Sequence, residues 1–103
     1  MITIRQGESR PIRVRIRQDG VNLVPDMVAD IKVCFGDLRF KMSEQTLIYV
    51  GDAWRFWPTQ EQTISMTPGY SMASIHIKYS DGAILIRDVE KLYVQESRCA
   101  EVF

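Results

Sequence analysis

A chain of 103 residues with 46% hydrophobic and 25% charged side chains reads as one globular domain, residues 1–103. A chain of that size buries roughly 65% of its unfolded surface, and the composition excludes disordered and fibrous classes. Thirteen Lys and Arg balance thirteen Asp and Glu, which argues against a nucleic-acid module, and no run of about 18 apolar residues is present to make a helical membrane span.

From the first residues onward, apolar and polar side chains alternate with period 2, the pattern of half-buried strands, and no window carries a 3.6-residue repeat. Ile2 and Ile4 alternate with Thr3 and Arg5. Ile12, Val14 and Ile16 alternate with Arg13, Arg15 and Arg17, and Asp19-Gly20 follows as a tight turn. Ala29, Ile31, Val33 and Phe35 form the next alternating set, then Leu38, Phe40 and Met42. Residues 46–50 and 53–57 continue the series, with Trp54 and Phe56 expected inward and Arg55 and Trp57 outward.

Thr59 and Gln62 make a Ser/Thr-x-x-Glu/Gln box, so one short helical turn is expected near 59–63, ahead of a turn at Pro68-Gly69. Residues 70–79 and 83–88 form a hairpin, with Asp81-Gly82 as a two-residue type I′ turn. That register sets Tyr79 against Ile84 and Ile77 against Ile86. Continued unbroken it would drive Asp88 and Glu90 toward the core, so a bulge or break is expected between them. Residues 91–97 complete about nine short strands, the signature of an all-β sandwich or barrel.

Arg13, Arg15 and Arg17 share one parity and face away from Ile12, Val14 and Ile16. An antiparallel sheet with one wet face accounts for this without any ligand, with Glu8, Asp30 and Asp88 as the acids available opposite. The same stripe also suits a protein interface, whereas the balanced net charge disfavours nucleic acid. Trp57 has three readings: folded over the sandwich rim against Pro58, anchoring a protein interface, or stacking on a sugar ring. Arg13, Arg15, Arg17, Arg55 and Trp57 are therefore the candidate interface residues.

Catalytic signals are missing. His76, the single histidine, sits on the polar parity beside Ser74 and Lys78, with no G-x-S-x-G serine and no glycine-rich phosphate loop in the sequence. Cys34 and Cys99 have no metal-ligand spacing, and the opening MITIRQGESR lacks the regions of a signal peptide. Two free thiols in a reducing compartment are the expectation. No enzyme activity, metal, cofactor or small-molecule ligand is expected.

Several segments together resemble a family of small Ig-like domains from the tails and baseplates of phages and prophages of Gram-positive bacteria. They are IRQGESRPIRVRI, the early Asp-Gly turn, IKVCFGDLRFKM, WRFWPTQEQTISMTPG, SIHIKYSDGAILI and LYVQES. The chain is also similar to the N-terminal β-sandwich of siphophage baseplate upper proteins, which attaches the receptor-binding apparatus to the tail. The resemblance spans nearly the whole chain and rests on strands and turns, so it transfers no functional residue. It implies a small Ig-like antiparallel β-sandwich of about 8–9 short strands. It further implies a non-enzymatic structural role, with copies of itself or other phage structural proteins as partners. Such a protein would sit in the host cytoplasm during assembly and in the virion afterwards. Unlike in those baseplate proteins, no helical linker or receptor-binding region is expected after the sandwich, which admits an accessory tail, decoration or head–tail joining role. The alternative function is a carbohydrate-binding sandwich for a host-surface glycan, with Trp57 and Tyr70 as its aromatic platforms.

Overall fold

Alternation makes strands nearly everywhere it predicts them, and backbone pairing sorts them into three sheets. The protein is described by a computed structural model covering residues 1–99 and 101–103. In chain order the strands are β1 (Ile2–Arg5), β2 (Ile12–Val14), β3 (Arg17–Gln18), β4 (Val21–Asn22), β5 (Asp30–Phe35) and β6 (Leu38–Lys41). They continue with β7 (Ile48–Val50), β8 (Ala53–Phe56), β9 (Gly69–Lys78) and β10 (Ile84–Gln95). A 3-10 turn covers Pro25–Met27, and one short helix, α1, covers Gln60–Ile64.

The five-stranded sheet runs β1-β10-β9-β5-β6, the three-stranded sheet β2-β8-β7, and β3-β4 forms a separate hairpin. Lettering β2, β7 and β8 as B, D and E, and β5, β6, β9 and β10 as C, C′, F and G, gives the two sheets of a variable-type immunoglobulin sandwich. The fold is thus an all-β, Ig-like sandwich. One pairing departs from the antiparallel expectation: β1 runs parallel to the end of β10, Ile2 opposite Leu92 and Arg5 opposite Gln95.

The inner faces meet in an aromatic core. Phe56 stacks on Phe40 at 4.6 Å and meets Phe35 edge-on at 5.2 Å, joining the small sheet to the large one. Trp54 is fully buried, with its Nε1 donating to the Leu23 carbonyl at 3.0 Å and Tyr49 edge-on against its ring. That hydrogen bond satisfies the one polar atom of the indole, as burial requires. Ile31, Val33, Ile75, Ile77, Leu92 and Val94 line the opposing wall.

The capping box forms as the sequence predicts: Thr59 Oγ1 accepts from the Gln62 amide at 3.1 Å, and Gln62 Oε1 accepts from the Thr59 amide at 2.8 Å. The helix also tethers the loop between β1 and β2. Thr63, fully buried, accepts from the Gly7 amide at 3.0 Å and donates to the Glu8 carbonyl at 2.9 Å.

Three expectations need correction. The strand expected across residues 12–17 breaks after Val14, and Arg17 begins the separate β3-β4 hairpin. The strands expected at 83–88 and 91–97 are one strand, β10, continuous through an irregularity between Asp88 and Glu90 where a bulge was expected. The hairpin register is off by one: Ile84 faces Lys78, Leu85 faces Ile77 and Ile86 faces His76. The Tyr79 amide donates to the Ala83 carbonyl and the Gly82 amide to the Tyr79 carbonyl, both at 2.9 Å, so the loop holds three residues, Ser80, Asp81 and Gly82. Gly82 has φ +92°, whereas Asp81 is not in the left-handed region. The two-residue geometry with both central residues at positive φ occurs instead at Asp19 (φ 53°) and Gly20 (φ 78°).

Candidate protein interface

The outer face of the small sheet carries part of the predicted arginine set. Arg13 on β2 lies directly opposite Arg55 on β8, and Ile48 on β7 faces Arg55 from the other side. One row across the sheet therefore reads Arg13, Arg55, Ile48. Among the described residues no acid lies within ion-pair distance of Arg13 or Arg55. The Arg13 guanidinium instead spreads over Gly51, 3.6 Å from where a side chain there would begin. Ile48 and Val50 are exposed on the same face. Like charges directly opposite cost a sheet a few tenths to about 1 kcal/mol.

Arg15 and Arg17 belong elsewhere. Arg15 lies past the end of β2 and pairs with Asp52 at 2.9 Å, both side chains largely solvated. Such an exposed pair contributes about 0–1 kcal/mol and leaves the arginine accessible. Arg17 donates its Nε to Asn22 Oδ1 at 3.1 Å inside the β3-β4 hairpin. Both line a cleft of about 440 Å3 whose floor is Ile75, Ile77, Leu85 and Val89. The four arginines of the predicted set thus fall into two groups: Arg13 and Arg55 on the small sheet, and Arg15 and Arg17 at the cleft.

Trp57 follows β8 and is 56% exposed. Its Nε1 donates to Ser9 Oγ at 3.1 Å, and Ser9 Oγ in turn donates to the Pro58 carbonyl at 2.8 Å. The ring is pinned to the β1–β2 loop by this hydrogen bond, and more than half of its surface faces solvent.

None of the three acids nominated from the sequence pairs with the stripe. Glu8 takes Arg10 at 3.5 Å, and Asp88 makes no ion pair among the described residues. Asp30 accepts from the Ser43 hydroxyl and from the amides of Ile31 and Ser43. Burial pushes its carboxyl up, but those hydrogen bonds and the nearby Lys41 charge outweigh it and hold the carboxyl below its ordinary value. The sequence offered no signal for Asp52, because which strand lies beside which is invisible to periodicity.

His76 faces outward on β9 between Lys32 and Ile86. Burial, and then the charges of Lys32 and Arg39, push its pKa below the ordinary 6.5. Cys34 is buried on β5 and Cys99 is exposed, both as free thiols. Among the described residues no three His, Cys, Asp or Glu side chains converge as metal ligands, and no helix is long and apolar enough to cross a membrane. Compared with protein-family profiles, with curated proteins and with solved structures, the chain matches none.

Proposed function

We propose that this domain is a non-enzymatic assembly protein of a phage or prophage tail or baseplate, and that it docks an acidic surface of another structural protein on the outer face of its small sheet. The observation that supports this most is the Arg13–Arg55 row, two cations set opposite one another with no ion-paired acid among the described residues and flanked by exposed Ile48 and Val50. An acidic partner would relieve that repulsion and cover the two apolar side chains in one contact. Arg and Trp dominate interface hot spots, and Trp57 offers an immobilised ring for the same purpose. The phage setting rests on the resemblance of the segment series to small tail and baseplate domains. Assembly in the host cytoplasm followed by residence in the virion goes with that setting.

The test is co-expression with the structural proteins encoded beside it, with co-purification as the readout. The parent chain is expected to bring down one of them at low salt and to lose it as salt rises, because screening weakens exposed charge contacts. The R13E/R55E double variant is expected to lose the partner while keeping its melting temperature. Equal recovery by a folded R13E/R55E protein, or recovery of no structural neighbour, overturns the reading.

A glycan-binding reading is favoured by one observation: Tyr70 is 75% exposed and packs against Tyr93 at 4.6 Å, an open aromatic pair on the outer face of the large sheet. It expects hits on a glycan array that disappear with Tyr70→Ala while the fold is retained. An array without hits removes it.

A further inference from the structure

The one-residue slip of the β9–β10 hairpin leaves an unusual edge. Only the last part of β10 is covered, since β1 pairs with Leu92 through Gln95. From Ile84 to Asp88 the strand has β9 on one side and, among the described residues, no strand paired on the other. Because Tyr79 donates to Ala83 directly across the turn, the hydrogen-bonded pairs of the hairpin are Tyr79–Ala83, Ile77–Leu85 and Ile75–Arg87. The alternate residues, Ile84, Ile86 and Asp88, therefore turn their amides and carbonyls toward the open edge. The side chains of Ile84 and Ile86 are 58% and 54% exposed on the outer face. An edge strand with open backbone groups and apolar side chains is a template for pairing, and natural proteins blunt such edges when they are not used.

We infer that this edge pairs antiparallel with the same edge of a second copy of the chain, across a two-fold axis at Leu85, joining the two five-stranded sheets into one. The sequence of the edge is self-complementary in that register. Ile84 meets Ile86 of the second copy twice, with both residues offering edge-facing backbone groups, so the four isoleucines close over one another on the outer face. Leu85 meets Leu85 of the second copy on the inner side, where the cleft beside Ile75, Ile77 and Val89 leaves room for it. Arg87 meets Ala83 of the second copy, with Asp81 of the second copy at the diagonal position, so opposite charges approach. A register centred on Arg87 instead would set two arginines face to face. This is an isologous contact that closes on itself and adds no open-ended filament. Five paired residues per chain cover less than the ~800 Å2 per partner of a stable interface, so the dimer is expected to be concentration-dependent. Its surface is separate from the Arg13–Arg55 row, and it stands or falls without that reading.

The test is light scattering of the full chain across a concentration series reaching millimolar. The parent mass is expected to rise from monomer to dimer and stop there. Ile86→Pro removes an amide that no strand of the same chain uses, a substitution tolerated on an open edge. It is expected to stay monomeric with an unchanged far-ultraviolet spectrum. I84K/I86K, which changes only exposed side chains, is expected to do the same through charge repulsion and answers for Ile86→Pro if that variant misfolds. R13E/R55E is expected to dimerise as the parent does. Leu85→Cys in a Cys99→Ser background is expected to oxidise to a covalent dimer, because cysteines facing each other across the axis are within bonding reach. A parent that is monomeric throughout, or a dimer that survives I84K/I86K, overturns the proposal.

Discussion

The chain turns twice on Asp-Gly, and the two turns differ by one residue. At Asp19-Gly20 both residues take positive φ and Gln18 faces Val21 directly, so the loop is two residues long. At Asp81-Gly82 only the glycine does, Ser80 joins the loop, and Asp81 Oδ1 accepts from the Ala83 amide at 2.9 Å. The same dipeptide therefore closes two different loops, and what decides between them lies down the strand. With a two-residue loop, Ile84, Ile86 and Asp88 would all point inward. The extra loop residue sends Asp88 out and turns Leu85 and Arg87 to the inner parity, Arg87 staying exposed at the cleft, and the irregularity between Asp88 and Glu90 takes the extra residue back, so that Leu92 and Val94 still reach the core. At the first turn the two-residue loop also serves the core: its register sets Ile16 opposite Leu23, both buried, with the Leu23 amide donating to the Ile16 carbonyl at 2.8 Å.

The largest expected effect breaks the comparison at Leu85 and Ile86. Leu85→Asp is expected to lower stability by about 2–3 kcal/mol, because the side chain packs against Ile77 and the cleft floor, while Ile86→Asp is expected to cost less than about 1 kcal/mol. Urea melts of both variants check this, and the order would invert if the two-residue loop were present. Gly82→Ala and Gly20→Ala come next. Each forces a side chain into the left-handed region at a cost of about 1–2 kcal/mol, and neither meets a neighbouring atom, so backbone strain is the whole effect. Deletion of Ser80 sharpens the point: it leaves Tyr79 opposite Ala83 with a two-residue Asp-Gly loop, and thermal melts are expected to move little, by less than about 1 kcal/mol.

The smallest effect is on pH. His76 packs beside Ile86, and its pKa in the folded chain is below the ordinary 6.5 of the unfolded chain. As pH falls through that value the unfolded chain binds the proton first, so stability from this group is complete above about pH 7 and declines as the pH drops. His76→Gln is expected to flatten the acidic side of a stability–pH curve. An unchanged slope would contradict the depressed value.

Much of this fold was legible in the sequence because strand parity is a local property. Ile12, Val14, Trp54 and Phe56 went inward as their alternation required, and the Thr59–Gln62 box and the irregularity near Asp88 follow from residues a few positions apart. What was not legible depends on neighbours distant in sequence. The parallel contact of β1 with β10 spans nearly the whole chain, and Arg15 finds Asp52 only because the small sheet's edge brings them together. Parity put Arg13, Arg15 and Arg17 in one stripe, but parity cannot show that the strand stops at Val14. Ile84 and Ile86 were assigned to the core face because a one-residue shift reverses every side chain on a strand.

The open edge and its pairing both follow from the register at Ile84 and Ile86. Cross-strand proton contacts in an NMR spectrum test it most directly. Residues facing each other without direct hydrogen bonds bring their α-protons closest, their Cα atoms about 4.5 Å apart. Strong α-proton contacts are expected between Lys78 and Ile84 and between His76 and Ile86. Strong contacts instead between Tyr79 and Ile84, or between Ile77 and Ile86, would contradict that register.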